Sequence, residues 1–110
     1  MEIAMSKYDP ESDEAVLTKN DKKEKLDEPP KYKVLLHNDD FTTQDFVVFV
    51  LQKIFNHPLE EAIHRMYQVH FQGLTIGGVY PYEIAETKAN KVIRLARERD
   101  FPFMCSLEKE

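Results

Sequence analysis

The sequence predicts an α/β sandwich (α+β), in which a three-stranded antiparallel sheet packs with three helices in the order β-α-α-β-α-β after a disordered N-terminal tail. Eleven of the twelve aromatic residues follow residue 30, so the material for a core begins near Tyr32. Three later segments repeat apolar residues at helical spacing, and three shorter ones are β-branched or alternating. Proline, glycine and Asn-Asp clusters separate these segments and supply the turns.

Charge divides the chain of 110 residues into two parts. Residues 1–30 hold nine acids and five lysines with one aromatic residue, which is typical of a flexible tail that ends at Pro29-Pro30. Residues 31–110 hold eleven acids and ten bases, which makes the predicted core domain nearly neutral. Nucleic-acid binding needs a basic face, so nucleic acid is not an expected partner.

Cysteine usage and hydropathy indicate a cytoplasmic protein without a membrane partner. Cys105 is the single cysteine, whereas a secreted domain of this size usually carries several disulfides. No apolar run is long enough to cross a bilayer, and the acidic first thirty residues lack the arginines of an organelle transit peptide.

The first predicted elements are a strand, a polar turn and a helix. Val34-Leu35-Leu36 is expected to form a buried strand, and Asn38-Asp39-Asp40 the turn that ends it. Thr42 and Asp45 have the spacing of a capping box, which predicts a helix from about Thr43 to Asn56.

A second helix is predicted to begin at Pro58 and to stop at Gly73, since proline suits a first helical position and glycine a C-terminal cap. Its expected apolar face ends in a histidine. The face comprises Leu59, Ala62, Ile63, Met66, Tyr67 and His70.

The last three elements are a strand, a helix and a strand. Leu74 to Tyr80 is predicted as a strand with a bulge or a close backbone approach at Gly77-Gly78. Pro81 begins a third helix, and Phe103 to Glu108 alternates as a final strand. The predicted apolar stripe of the third helix comprises Ile84, Ala85, Ala89, Val92, Ile93 and Ala96.

The candidates for chemistry are the Asn38-Asp39-Asp40 turn and His70. Asn and Asp are the default turn formers, so the cluster is either an ordinary turn or a set of positioned polar groups. A catalytic dyad is disfavoured because adjacent extended residues point to opposite sides. His70 fits a general base, a metal ligand or a hydrogen-bonding group, although one cysteine and the histidine spacing do not form a metal motif.

The first helix has almost no polar face between Phe46 and Phe55. Such a helix is either buried on all sides or contributes surface to a binding groove. Complete burial is difficult in so small a domain, so we expect an apolar pocket beside this helix with the polar turn at its rim.

These residues resemble the ClpS family, adaptor proteins that deliver substrates with destabilising N-terminal residues to the ClpA unfoldase and ClpP protease. The resemblance covers nearly the whole chain after Pro30, and the His-aromatic-Gln-Gly and Ala-Glu-Thr-Lys segments make it specific. The matching segments include Asn38-Asp39-Asp40-Phe41-Thr42, Phe46-Val47, Val69-His70-Phe71-Gln72-Gly73, Gly78-Val79-Tyr80, Ala85-Glu86-Thr87-Lys88 and Cys105-Ser106-Leu107-Glu108.

The resemblance implies a non-enzymatic monomer, without cofactor or metal, that binds bulky hydrophobic N-terminal residues (Leu, Phe, Tyr, Trp). It implies that the substrate α-amino group is bound by Asn38, Asp39, Asp40 and His70. It also implies that the first side chain enters a pocket lined by Thr42, Gln44, Val47, Met66, Val69 and Phe103.

Two further expectations come from the resemblance. Gln44 stands where the family commonly has a gatekeeper methionine, so the ranking of first residues is open. Glu83 and Lys88 stand where the family contacts the N-terminal domain of the unfoldase, and the tail is expected to engage the unfoldase or to act as a linker. The alternative function is a small hydrolase or metal-binding protein that uses Asp39, Asp40 and His70.

Overall fold

A computed structural model describes residues 28–110, so the predicted tail lies outside the described residues apart from its last three positions. The order β-α-α-β-α-β is confirmed. The elements are β1 (Lys31–His37), α1 (Gln44–Lys53), α2 (Leu59–Gln72), β2 (Leu74–Pro81), α3 (Tyr82–Glu98) and β3 (Met104–Lys109).

The sheet has the order β2-β1-β3, and both neighbours run antiparallel to the central strand β1. β1 is longer than predicted, because its polar ends also pair with the edge strands. The residues that pack into the core alternate along it, with Val34 and Leu36 completely buried. Helices cover this apolar face, as the predicted sandwich requires.

The bulge predicted in β2 is present at Gly77. Val34 pairs with Gly78 and Leu35 pairs with Ile76, which leaves Gly77 without a partner in the register. A Cβ atom at Gly77 would lie 2.9 Å from the ring of Phe55, so the close backbone approach is present as well.

Two side chains reach the backbone of this edge strand. Arg65 of α2 donates to the carbonyl of Ile76 at 2.6 Å. The His57 ring forms a 2.6 Å hydrogen bond with the carbonyl of Gly77. Residues that precede and belong to α2 therefore hold β2 against the helical layer.

Helix α1 differs from its prediction at both ends. The N-cap is Thr43, whose hydroxyl accepts from the backbone N–H of Phe46, whereas Thr42 was predicted because it forms the capping-box spacing. The helix ends at Lys53 with Ile54 as its C-cap, three residues before the predicted end. The apolar pattern extends past the end of the helix, because Ile54 and Phe55 are buried in the core although they follow its last residue.

The buried faces of α2 and α3 are narrower than predicted. In α2 the predicted face is only partly buried, and Leu59, Ile63 and Tyr67 remain 53%, 37% and 47% exposed. In α3 the side chain of Ile84 is exposed, and the buried positions are Ala85, Ala89, Val92 and Ala96. Alanines let a helix approach its neighbours closely, so the larger side chains beside them are left at the surface.

Cys105 packs in the core, as its alternation with Phe103 predicted. Burial raises the pKa of the Cys105 thiol to about 12, and the charge of Arg97 opposes this only in part. The thiol therefore stays protonated at neutral pH and has the character of a small apolar side chain.

Candidate functional site

A small cavity of about 200 Å³ lies where the β1–α1 connection meets α1 and α2. Its lining combines a polar rim with an apolar interior. The lining residues are Asn38, Asp39, Asp40, Thr42, Gln44, Val47, Met66, Val69 and His70. Pockets for drug-sized ligands are usually 300–1,000 Å³, so this cavity suits a single side chain rather than a large cofactor.

Asp39 organises the polar rim. One carboxylate oxygen accepts from the backbone N–H groups of Phe41 at 2.8 Å and Thr42 at 2.7 Å. The other oxygen accepts from the Thr42 hydroxyl at 2.7 Å. These bonds form an Asx-type turn directly before α1 and explain why Thr42 does not cap that helix.

The same bonds keep Asp39 ionised. Partial burial on its own would raise the pKa of Asp39, but the hydrogen bonds from Thr42 and Phe41 and the positive charge of Arg97 outweigh it. The pKa of this carboxyl therefore lies below its usual value of 3.8. A carboxylate in this state has no proton to share with Asp40, which argues against an acid-pair mechanism.

The rim is closed by a contact between β1 and the end of α2. The backbone N–H of Asn38 donates to the carbonyl of Gly73 at 3.1 Å. Gly73 can end α2 there because its φ of 88° is left-handed, which favours glycine. The last turn of α2 places His70 beside a turn that lies thirty-two positions earlier in the sequence.

Three rim side chains keep their polar atoms available. Asn38, Asp40 and His70 are exposed, and their side chains form no hydrogen bond with another residue within positions 28–110. The ring of His70 meets the ring of Phe71 edge-on, with 4.7 Å between the centroids. The rim thus offers a carboxylate, an amide oxygen and a ring nitrogen as acceptors towards solvent.

The interior of the cavity is apolar. Val47 of α1 and Met66 and Val69 of α2 are each at least 95% buried and contribute its walls. Gln44 lies in the first turn of α1 and is exposed at the mouth. The pocket predicted beside α1 is therefore present, with the polar turn at its rim.

Phe103 is the one predicted pocket residue that does not line the cavity. It is 1% exposed, and its ring packs edge-on against Phe46 with 6.1 Å between the centroids. The residue precedes β3 and points into the core beneath α1. Phe103 therefore packs in the core and is not part of the lining, contrary to what the resemblance implies.

Arg97 is a site-related residue that sequence reasoning missed. Its guanidinium donates to the carbonyls of Phe101 at 2.7 Å and Phe103 at 3.0 Å, which fixes the segment that leads into β3. The same charge lowers the pKa of Asp39. The one available signal was a basic residue in the last turn of a helix, which is too common to identify a site.

Glu83 and Lys88 lie away from this cavity, on α3 near the C-terminal end of α1. They line a separate, open depression of about 450 Å³ with Lys53 and Ile54. The ammonium of Lys88 donates to the carbonyl of Ile54 at 2.8 Å and lies 5.1 Å from the centroid of the Tyr80 ring. Lys88 therefore caps α1 as well as contributing to this surface.

In the part of the chain that the structure describes, no three His, Cys, Asp or Glu side chains are grouped so that they could hold a metal ion. No helix between residues 28 and 110 is both long and apolar enough to cross a membrane.

A three-helix, three-stranded sandwich with a one-side-chain cavity under an anionic rim defines a small peptide-binding module. A family profile described as "ATP-dependent Clp protease adaptor protein ClpS" matches residues 27–106. The chain belongs to this family of Clp protease adaptors.

Named relatives agree with this assignment. The "ATP-dependent Clp protease adapter protein ClpS" of Myxococcus xanthus is 46% identical over 100 residues, which cover 91% of this chain and 94% of that protein. The protein of the same name from Pectobacterium carotovorum is 50% identical over 93 residues, covering 84% of this chain and 88% of that protein.

A solved structure shows the same fold. Agrobacterium tumefaciens ClpS2 bound to L-phenylalaninamide superposes with a TM-score of 0.72 and 37% sequence identity. The superposition covers 76% of this chain and all of that chain. The ligand of that relative has a free α-amino group next to an aromatic side chain.

Proposed function

We propose that this adaptor binds proteins whose first residue is bulky and hydrophobic (Leu, Phe, Tyr or Trp) and delivers them to a ClpA-type unfoldase and the ClpP protease. The observation that carries the proposal is the cavity, whose lining places an ionised carboxylate and free acceptors directly above an apolar interior. The relative bound to L-phenylalaninamide supports the same class of ligand.

The rim matches the chemistry of a free N-terminus. A primary ammonium has one positive charge and three hydrogens to donate. Asp39 and Asp40 supply the attraction, and the side-chain oxygen of Asn38 and a ring nitrogen of His70 accept hydrogens. An internal peptide N–H has neither the charge nor the additional hydrogens, so the rim discriminates a chain's first residue from all others.

The interior selects the first side chain by size and polarity. Its burial against Val47, Met66 and Val69 stabilises the complex by about 1.5–3 kcal/mol, and each charge-assisted hydrogen bond adds about 1.5–3 kcal/mol. Immobilising the peptide costs several kcal/mol in return. Micromolar affinity, which corresponds to about −8 kcal/mol, is the expected result.

Acetylating the substrate amine tests the proposal. Acetylation removes the charge and two of the three hydrogens, so an acetylated Phe-peptide should bind at least a hundredfold more weakly than the free peptide in fluorescence anisotropy. Equal affinities would refute the proposed role of the rim. Affinity should also fall above about pH 8, where the free α-amino group loses its proton.

A second experiment with the free Phe-peptide separates the adaptor from a hydrolase or metal-binding protein. After incubation with the adaptor, with and without a chelator, mass spectrometry should recover the peptide intact and anisotropy should be unchanged. Shortened peptide would identify a hydrolase that uses Asp39, Asp40 and His70, and binding that requires a metal would identify a metal site.

Delivery is expected to depend on the α3 surface that contains Glu83 and Lys88. This surface shares no lining residue with the cavity, so the two partners can bind at the same time. Glu83→Lys should weaken binding to the N-terminal domain of the unfoldase and leave peptide affinity within twofold, as measured by titration of each partner. Equal losses for both partners would contradict separate surfaces.

We further propose that the adaptor acts as a cytoplasmic monomer without a cofactor. The buried thiol of Cys105 fits a reducing compartment, since it forms no disulfide within the chain. Sedimentation of the purified protein tests the monomer, and fractionation of the producing cell tests the compartment.

A further inference from the structure

An exposed apolar groove runs between α1 and α2 beside the cavity. It has a volume of about 560 Å³, and we refer to it as the α1–α2 groove. Its apolar lining residues are Val48, Phe49, Leu59, Ile63, Met66 and Tyr67. Phe49, Leu59, Ile63 and Tyr67 each keep between 37% and 53% of their surface exposed. A continuous apolar surface of this kind on a small domain indicates binding rather than packing.

The groove and the cavity are continuous. Gln44 and Met66 line both of them, with Gln44 at the mouth of the cavity and Met66 in the wall between the two spaces. A first residue bound in the cavity therefore leaves the rest of its chain next to the groove. This continuity rests on the proposed function, because it requires a peptide in the cavity.

The dimensions fit a short peptide segment. Along α2, Ile63 lies about 4.5 Å and Leu59 about 10 Å from Met66, from the helical rise of about 1.5 Å per residue. An extended peptide advances about 3.3–3.6 Å per residue. Three residues after the first would therefore follow the groove from Met66 to Leu59.

We propose that the α1–α2 groove binds residues two to four of the substrate and prefers large apolar side chains there. The polar groups in its lining are Gln44, Gln52 and the carboxylate of Asp45, and no lysine or arginine is among them. An acidic side chain at these positions would gain little from the apolar lining and would lie near the carboxylate of Asp45, although Arg99 lies 5.7 Å from the Phe49 ring at one side of the groove. The adaptor then reads a short N-terminal segment rather than one residue.

Two peptides led by Phe test this inference, one continuing Ser-Ser-Ser and the other Leu-Leu-Ser. In fluorescence anisotropy the wild-type protein should bind the leucine peptide about five- to tenfold more tightly, since partial burial of leucine gives a gain of this size. Ile63→Gln should remove most of that gain and leave the serine peptide within twofold. Ile84→Gln is the matched control, because Ile84 is an exposed isoleucine on α3, outside the groove.

The outcomes separate this inference from the proposed function. Equal affinity of the two peptides, or a gain that survives Ile63→Gln, would overturn the inference and leave recognition of the first residue intact. Loss of binding for both peptides in the wild-type protein would overturn both. If Ile63→Gln instead converts a dimer to a monomer in sedimentation, a second copy covers the groove and the inference is wrong.

Discussion

The two ends of helix α1 use polar groups in opposite ways. At its N-terminal end, Asp39 and Thr43 satisfy the local backbone, and Asn38 and Asp40 remain exposed beside them. At its C-terminal end, the ammonium of Lys88 donates directly to the carbonyl of Ile54, the C-cap residue. The N-terminal end therefore has acceptors that no contact of the fold uses. At the C-terminal end, the positive charge of Lys88 is already used in a contact that stabilises the fold.

This difference between the two ends of α1 determines where a ligand can bind without breaking a hydrogen bond of the fold. At the N-terminal end, Asn38 and Asp40 keep acceptors that no residue in the described chain occupies, and the proposed substrate ammonium would bind there. A partner at the C-terminal end must instead work around a lysine whose ammonium already stabilises a helix terminus. We therefore expect substitutions at the first end to weaken peptide binding, and substitutions at the second end to lower stability without weakening peptide binding.

Asp39→Ala should have the largest effect. It removes three hydrogen bonds of the rim turn and one of its two carboxylates, so peptide affinity should fall at least a hundredfold and the free energy of unfolding by about 2 kcal/mol. Asp40→Ala is the matched control, and it should weaken binding without lowering stability. Denaturant unfolding and anisotropy measure both. Equal stability of the two variants would contradict the organising role of Asp39.

Lys88→Met should lower stability without weakening peptide binding. It retains much of the aliphatic stem but leaves the buried Ile54 carbonyl without its donor, so the free energy of unfolding should fall by about 1–2 kcal/mol. Peptide affinity should stay within twofold. Lys91→Met, on the same helix, should change neither quantity. A Lys88→Met protein with the same free energy of unfolding as the wild type would show that Lys88 does not stabilise the C-terminal end of α1.

The pH dependence of stability should reveal the ionised state of Asp39. Its pKa is lower in the folded chain than its usual value of 3.8, so the stabilisation is complete above about pH 5 and is lost as pH falls through the lower folded value. The stability difference between wild type and Asp39→Asn should therefore be constant from pH 7 to about pH 5 and shrink in stronger acid. A stability difference that grows on acidification would show that folding raises the pKa of Asp39 rather than lowering it.

Gln44→Met should have the smallest effect. An apolar side chain at the cavity mouth should alter the ranking of Leu-, Ile- and Phe-led peptides by about two- to fivefold. Stability should not change, because Gln44 is exposed at the mouth and is not part of the core. Unchanged ratios would show that the entrance does not discriminate among first residues.

The elements were predictable because they depend on local patterns. Gly73 marked the end of α2, and Gly77 marked the bulge, since both positions require glycine geometry or space. The cap of α1 was misplaced by one residue because Thr42 and Thr43 are chemically alike. The structure distinguishes them, because the carboxylate of Asp39 engages Thr42 within the turn and leaves Thr43 to cap the helix.

The site was less predictable from the sequence than the helices and strands were. The residues themselves indicated a polar turn beside an apolar pocket, and the family resemblance supplied the individual lining positions, of which Phe103 is the exception. The contacts of Arg97 with the chain before β3 and of Lys88 with Ile54 join distant parts of the sequence. No periodicity or spacing predicts such contacts, because they depend on how the elements pack.

The two side chains that reach strand β2 have a consequence for a protein that handles polypeptides awaiting degradation. Arg65 and His57 occupy carbonyls of Ile76 and Gly77 on an edge of the sheet. An edge with free carbonyls is a template on which an unfolded client could add a strand and aggregate. With these two acceptors occupied, this edge of the sheet offers an unfolded chain fewer groups with which to pair.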